Sequence, residues 1–179
     1  MDNYPSSIFH CPFLIVRYQF IYDLVETCSK KGVIHAVICP GSRSAPLTLA
    51  FANHPNIKCF VVPDERSAAF VALGISQSTS LPVVLVCTSG SAGYNFAPAV
   101  AEAFFQHIPL LVFTADRPPE MIDQLDGQTI RQKNLYGPHA KKYFELPVDE
   151  SPANDWFVNR TINEAINLAV AGEQGPVHI

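Results

Sequence analysis

The sequence predicts an α/β fold, doubly wound, with a mainly parallel sheet and helices on both faces. Three observations carry this expectation. Short apolar runs alternate with helical patterns along most of the chain. The runs are apolar throughout instead of alternating with polar residues, as strands covered on both faces are. Each run ends in small or polar residues that lead into the next helical pattern, the sign of repeated strand–helix units.

Residues 1–16 have no clear period and read as an N-terminal extension ahead of one domain spanning 17–179. Phe20, Ile21, Leu24, Val25 and Cys28 then mark one face of a helix; Lys30 and Lys31 suit its last turn and Gly32 the position just beyond. Val33 to Cys39 is a strand closing at Pro40-Gly41, Ala45 to Asn53 a helix, and Ile57 to Val62 a second strand closing at Pro63. Ser67 to Gln77 is an Ala-rich helix, apolar nearly all round and therefore expected to be buried. Pro82 to Cys87 is a third strand. Ala92, Phe96, Ala99, Val100 and Ala103 give a helical stripe that Pro98 should kink or delay. Pro109 to Thr114 is a fourth strand, after which 115–150 is irregular and punctuated by Pro118, Pro119, Pro138 and Pro147. Ser151-Pro152 reads as a cap and first helical position; Ile162, Ala165, Ile166, Ala169 and Val170 supply that helix's buried stripe. Pro176 to Ile179 begins one more strand, and the chain has no internal repeat or low-complexity segment.

Of 179 residues, 48% are hydrophobic and 16% charged, which fits a packed domain and not a disordered one. The formal net charge is −4 and no run of Lys or Arg forms a basic stripe, so nothing favours nucleic acid. The five cysteines are odd in number and none lies in a C-x-x-C pair, which argues against a zinc site or disulfide framework and for a reducing compartment. Asp2, Pro5 and Pro12 spoil an export signal and no run reaches membrane-span length, so the expected location is the cytoplasm.

In such folds ligands bind beyond the carboxyl ends of the strands. Four polar clusters fall there: Gly41-Ser42-Arg43-Ser44, Asp64-Glu65-Arg66, Thr88-Ser89-Gly90-Ser91 and Ala115-Asp116-Arg117, with the loop near Gln128 a fifth candidate. The first lets the backbone approach a ligand and offers Arg43 for a carboxylate, or is a tight turn with a solvated arginine. At the second, a carboxylate opening a helix ordinarily compensates the helix dipole. The apolar helix behind it instead suggests a buried Glu65 with a raised pKa, able to donate a hydrogen bond. The third resembles a nucleophile elbow, but Ser89 stands where the first Gly belongs; Asp116 with His139 or His178 would keep the order of a serine hydrolase. A tight ligand-facing turn is the stronger reading. The G-x-G-x-x-G fingerprint and the Walker A loop are both missing, and the six histidines lack metal-site spacing, so no metal ligand is expected in this chain.

The set PGSRSAPL at 40–47, DERSAAF at 64–70, TSGSA at 88–92, TADRPPE at 114–120 and QTIRQ at 128–132 resembles one family closely. It is the 2-succinyl-5-enolpyruvyl-6-hydroxy-3-cyclohexene-1-carboxylate synthases, thiamin-diphosphate enzymes, and the similarity covers roughly residues 18–179. A Glu after the second strand and a TSG turn are shared widely among thiamin-diphosphate enzymes; GSRSAPL and TADRPPE are much narrower. The resemblance implies the thiamin-diphosphate-binding fold, pyrimidine domain. It implies a transferase of menaquinone biosynthesis that decarboxylates 2-oxoglutarate and adds the succinyl semialdehyde anion equivalent to isochorismate, with thiamin diphosphate and Mg2+ as cofactors. Glu65 then matches the catalytic carboxyl on the aminopyrimidine ring, Ser42, Arg43 and Arg117 match substrate-binding positions, and Gln128 a cofactor-binding one. Two arginines suit substrates that are both dicarboxylates.

The family's middle and diphosphate-binding domains, with the G-D-G…N metal motif, do not match this chain, so the metal ligands are expected there. An excised domain or one piece of a split enzyme is the expectation, inactive alone and belonging to a homo-oligomer. Gly127 stands where some members have Asn, and Ser91 where Thr is commoner. The alternatives are an acetolactate-synthase-like domain and a non-catalytic doubly wound interaction module.

Overall fold

The computed structural model describes residues 19–149 and 151–179; the extension expected over 1–16 lies outside them. In chain order the elements are α1 (Gln19–Lys30), β1 (His35–Ile38), α2 (Ala45–Ala52), β2 (Lys58–Val61), α3 (Glu65–Thr79), β3 (Val83–Cys87), α4 (Ala92–Asn95), α5 (Ala97–Phe105), β4 (Leu110–Thr114), α6 (Pro152–Val170) and β5 (Val177–His178). The strands form one five-stranded sheet in the order β2-β1-β3-β4-β5. Every pairing is parallel, with Ala36, Val37 and Ile38 opposite Val84, Leu85 and Val86 at its centre.

Alternation along each strand divides the core in two. Ala36, Ile38, Val84, Val86, Leu111 and Phe113 face α1, α2 and α6. Val37, Cys39, Leu85, Cys87, Leu110 and Val112 face α3 and the α4–α5 pair. Both faces of the central strands are thus covered, and β3 is apolar and buried at every position. Burial of side chains this large sets the scale: truncating Phe51 or Phe113, whose ring centroids lie 6.0 Å apart, would cost about 3–5 kcal/mol.

Local chemistry sets the element ends where the sequence places them. Gly32 takes φ +91°, and the Val33 N–H donates to the Cys28 carbonyl at 3.0 Å, closing α1 with a left-handed residue. Ser151 caps α6 by accepting from the Asn154 N–H at 3.2 Å. Pro98 is the second residue of α5, and the helical stripe is split at Phe96 between α4 and α5.

One expectation is corrected. α3 is not buried all round. Its inner face carries Ala68, Ala69, Ala72, Leu73 and Ser76, while Phe70 and Val71 are 46% and 40% exposed. A sheet covers only one side of a helix, and composition alone cannot report that the other side is left open among the described residues. Among the described residues no helix is long and apolar enough to cross a membrane.

His178, in β5, is fully buried; its Nε2 lies 2.8 Å from the Thr114 hydroxyl, between the rings of Tyr136 and Tyr143. Burial lowers its pKa from 6.5 to about 4. The unfolded chain therefore binds an extra proton between these values. Stability is fully present above pH 6.5 and is lost as pH falls from 6.5 towards about 4, by roughly 3 kcal/mol in all. Urea titrations of the chain and of His178→Asn across that window should show a flatter pH dependence in the variant; parallel curves would exclude His178 as the titrating group.

Candidate functional site

From β1 the chain crosses to β2 on one side, then returns to place β3 on the other. The carboxyl ends of β1 and β3 therefore flank the point where winding reverses, the position at which open α/β sheets form a ligand crevice. The Cys39 N–H still donates to the Val86 carbonyl at 2.8 Å, so the two turns leave the sheet side by side. A Cβ on Gly41 would lie 2.4 Å from the Cβ of Thr88, so the first turn seats on the second only because Gly41 has no side chain.

The loop around Gln128 docks on the β3 turn. The Ser89 hydroxyl donates to the Gln128 carbonyl at 2.9 Å. A Cβ on Gly90, at φ +83°, would lie 3.0 Å from the Gln128 backbone. Gln128 itself takes a left-handed φ of +57°. Its side-chain carbonyl accepts from Arg43 Nη1 at 2.8 Å, joining two predicted site residues from opposite sides of the crevice. Arg117, after β4, places Nη2 2.7 Å from the Asp126 carboxylate and 3.3 Å from the Gly127 carbonyl. Its buried Nε has no partner among the described residues. Arg43 and Arg117 both border a cavity of about 360 Å³ whose other walls include Leu24, Leu47, Phe113 and Phe144.

Glu65 is the first residue of α3, half-buried and not enclosed as anticipated, because the helix start lies at the mouth of the crevice. The capping work falls to its neighbour: Asp64 accepts from the Ser67 N–H at 2.8 Å. Glu65 makes no hydrogen bond or ion pair among the described residues. Burial, and after it the charge of Glu65, pushes the Cys39 thiol up to about 12; Cys87 is raised by burial first, then by Cys39 and Glu65, in keeping with a carboxylate near the ends of β1 and β3. Ser42 is exposed on the β1 turn. Arg43 and Gln128 are thus brought into contact, Arg117 lies on the same loop through Asp126 and Gly127, and Glu65 and Ser42 stand apart from that network.

The hydrolase alternative finds no support. His178 is engaged by Thr114, His139 lies against Phe104 and Phe105, and the Asp116 carboxylate accepts from the Arg117 N–H at 2.7 Å. Asp126 and Gln132 are site residues that motif reading missed. Gln132 lay inside QTIRQ, but a buried polar residue in an irregular loop has no periodic signature.

The profile described as "Thiamine pyrophosphate enzyme, N-terminal TPP binding domain" matches residues 21–136. The chain belongs to that family. It is 54% identical over 162 residues to the 2-succinyl-5-enolpyruvyl-6-hydroxy-3-cyclohexene-1-carboxylate synthase of Cytophaga hutchinsonii, covering 90% of this chain and 29% of that protein. With the synthase of the same name from Flavobacterium johnsoniae it shares 52% identity over 157 residues, 88% of this chain and 27% of the relative. The chain therefore spans under a third of the length of these curated relatives. Among solved structures, a thiamine diphosphate-dependent 4-hydroxybenzoylformate decarboxylase from Rhodococcus jostii superposes with a TM-score of 0.73 at 24% identity, covering 89% of this chain and 28% of that one, a likeness of fold.

Membership in this family makes thiamin diphosphate the cofactor to test against the residues present. A pyrimidine ring needs a carboxyl above an apolar floor, and Glu65 over the buried ends of β1 and β3 fits it. A diphosphate with a divalent ion needs a cluster of oxygen ligands. Among the described residues no group of three or more His, Cys, Asp or Glu could hold a metal, so that end does not fit here.

Gly41→Ala should destabilise the chain by about 1–3 kcal/mol, since the methyl meets the Thr88 β-carbon and not a flexible tip. A urea midpoint equal to that of the unaltered chain would mean that the two turns part freely.

Proposed function

We propose that residues 17–179 are the pyrimidine-binding domain of a transferase that decarboxylates 2-oxoglutarate and adds the resulting acyl-anion equivalent to isochorismate in menaquinone biosynthesis. The observation that carries this reading is the division of labour at the head of α3. Asp64 satisfies the helix end, and the adjacent Glu65 carboxyl is left uncommitted above the β1–β3 crevice. In this reading Glu65 hydrogen-bonds the aminopyrimidine ring and holds its proton balance. When bound, thiamin diphosphate supplies the electron sink for decarboxylation. Arg43 and Arg117 hold substrate carboxylates, Ser42 adds a hydroxyl on the same turn, and Gln128 sits on the cofactor side of Arg43. Mg2+ and the diphosphate are assigned to residues outside this chain.

The cavity is lined by Arg43 and Arg117 together with Asp116 and Glu145. Because Arg43 has only a neutral amide partner, its charge is available to a substrate carboxylate, and a second grip from Arg117 would favour dicarboxylic substrates over the pyruvate of an acetolactate-synthase-like enzyme. The exposed Phe70 and Val71 on α3 favour a homo-oligomer in which this face is covered. Cys28, Cys39, Cys59 and Cys87 are all free thiols, in keeping with a reducing, cytoplasmic setting.

In a full-length synthase carrying this domain, Glu65→Gln should slow exchange of the cofactor's thiazolium proton by roughly a hundredfold or more; near-normal exchange would remove Glu65 from the mechanism. Arg43→Ala and Arg117→Ala should each cost about 1.5–3 kcal/mol in kcat/KM for isochorismate with little change in melting temperature. Unfolding as the main effect would make both arginines structural. Light scattering should detect association beyond the monomer that weakens in Phe70→Asp; a monomer at every concentration would count against the oligomer.

A further inference from the structure

We propose that Gln132 is the positioning residue for the Arg43–Gln128 pair, a two-ended brace between the turns that follow β3 and β4; this rests on the reading of the site given above. Gln132 is 2% exposed although it lies in an irregular loop. Its side-chain carbonyl accepts from the Gly90 N–H at 2.7 Å, and its NH2 donates to the Ala115 carbonyl at 3.0 Å. The orientation of the amide is fixed by these partners, because a backbone N–H can only donate and a carbonyl can only accept. Its own backbone carbonyl accepts from the Leu135 N–H at 3.1 Å, anchoring the brace to the loop behind it.

The position of the brace explains its use. Ladder bonding between β3 and β4 ends where the Ala115 N–H donates to the Cys87 carbonyl at 3.1 Å. One step further out, the side chain of Gln132 takes over the bridging. Gly90, held at that point, is the surface on which the Gln128 backbone rests, and Ser89 ties the Gln128 carbonyl down beside it. Gln128 in that pose meets Arg43 at 2.8 Å. Gln132 borders the cavity but has no hydrogen bond to Arg43; both ends of its amide are spent on Gly90 and Ala115, so its link to Arg43 runs through Gly90 and Gln128. A residue chosen for stability alone at a buried site would more simply be apolar; a side chain with one donor and one acceptor on a single plane is what this gap requires.

The test uses two variants in a full-length synthase carrying this domain. Gln132→Met keeps length and flexibility and removes both hydrogen bonds; Gln132→Glu keeps the acceptor for Gly90 and loses the donor to Ala115. Gln132→Met should raise KM for isochorismate by about ten- to a hundredfold with kcat changed less than about threefold, and Gln132→Glu should recover part of that loss. By hydrogen exchange, peptides covering 88–93 and 126–130 should open at least about tenfold faster in Gln132→Met, while those covering β1 and the interior of β3 stay protected. Arg43→Ala, assayed alongside, separates the two claims. If Arg43→Ala raises KM and neither Gln132 variant does, the brace is overturned and the site reading stands. If none of the three moves KM, the site reading fails and the brace with it. Should Gln132→Met not fold, Gln132→Glu decides by the same KM and exchange criteria. Uniformly faster exchange across the sheet with KM unchanged would make Gln132 a stability residue only.

Discussion

Parallel pairing of β1 with β3 holds the turns after these strands at one strand spacing, with the Cys39 N–H on the Val86 carbonyl as the last rung. Everything at the site inherits that spacing. It presses Gly41 onto Thr88, so the first turn must be made of a residue without a side chain. It also locates the crevice, because the chain winds outward in opposite directions from these two strands. Since helices cover both faces of the central strands, β1 and β3 end in a mainly apolar interior, and the polar groups of the site come from the turns that follow them.

Those polar groups are arranged in short local networks instead of one large one. Arg43 is steadied by a neutral amide, that of Gln128, and Arg117 by a carboxylate, that of Asp126. A neutral partner leaves the charge of Arg43 free to attract an anion, whereas Asp126 offsets much of the charge of Arg117. Beneath Glu65, burial and the nearby negative charge keep Cys39 a neutral thiol, with a pKa of about 12, so it serves as packing.

The neighbouring acids at 64 and 65 illustrate how much the sequence alone could say of the site. Both stand at a helix start, and either could have served as the cap. The backbone settles the matter: Asp64 takes the extended cap conformation at φ −85°, ψ 117°, while Glu65 is already helical. By resemblance DERSAAF assigns the carboxyl role to Glu65; the structure shows that Asp64 is the residue committed to the helix end. For Gln132, sitting in QTIRQ, the residue type was visible but its partners were not, because Gly90 lies 42 residues away along the chain.

By itself the sequence determined the parallel sheet, the helix ends at Gly32 and Ser151, the break before Pro98 and the turns that carry Glu65, Ser42, Arg43, Arg117 and Gln128. These features follow from periodicity, backbone preference and residue chemistry, which act over a few neighbouring positions. Tertiary structure alone decided that α3 exposes Phe70 and Val71, that Arg43 meets Gln128, that Arg117 meets Asp126 and that Gln132 bridges two turns. Each of these depends on which strands lie side by side. Strand order is settled by burial of the whole sheet between two helical layers, and no local window of sequence contains it.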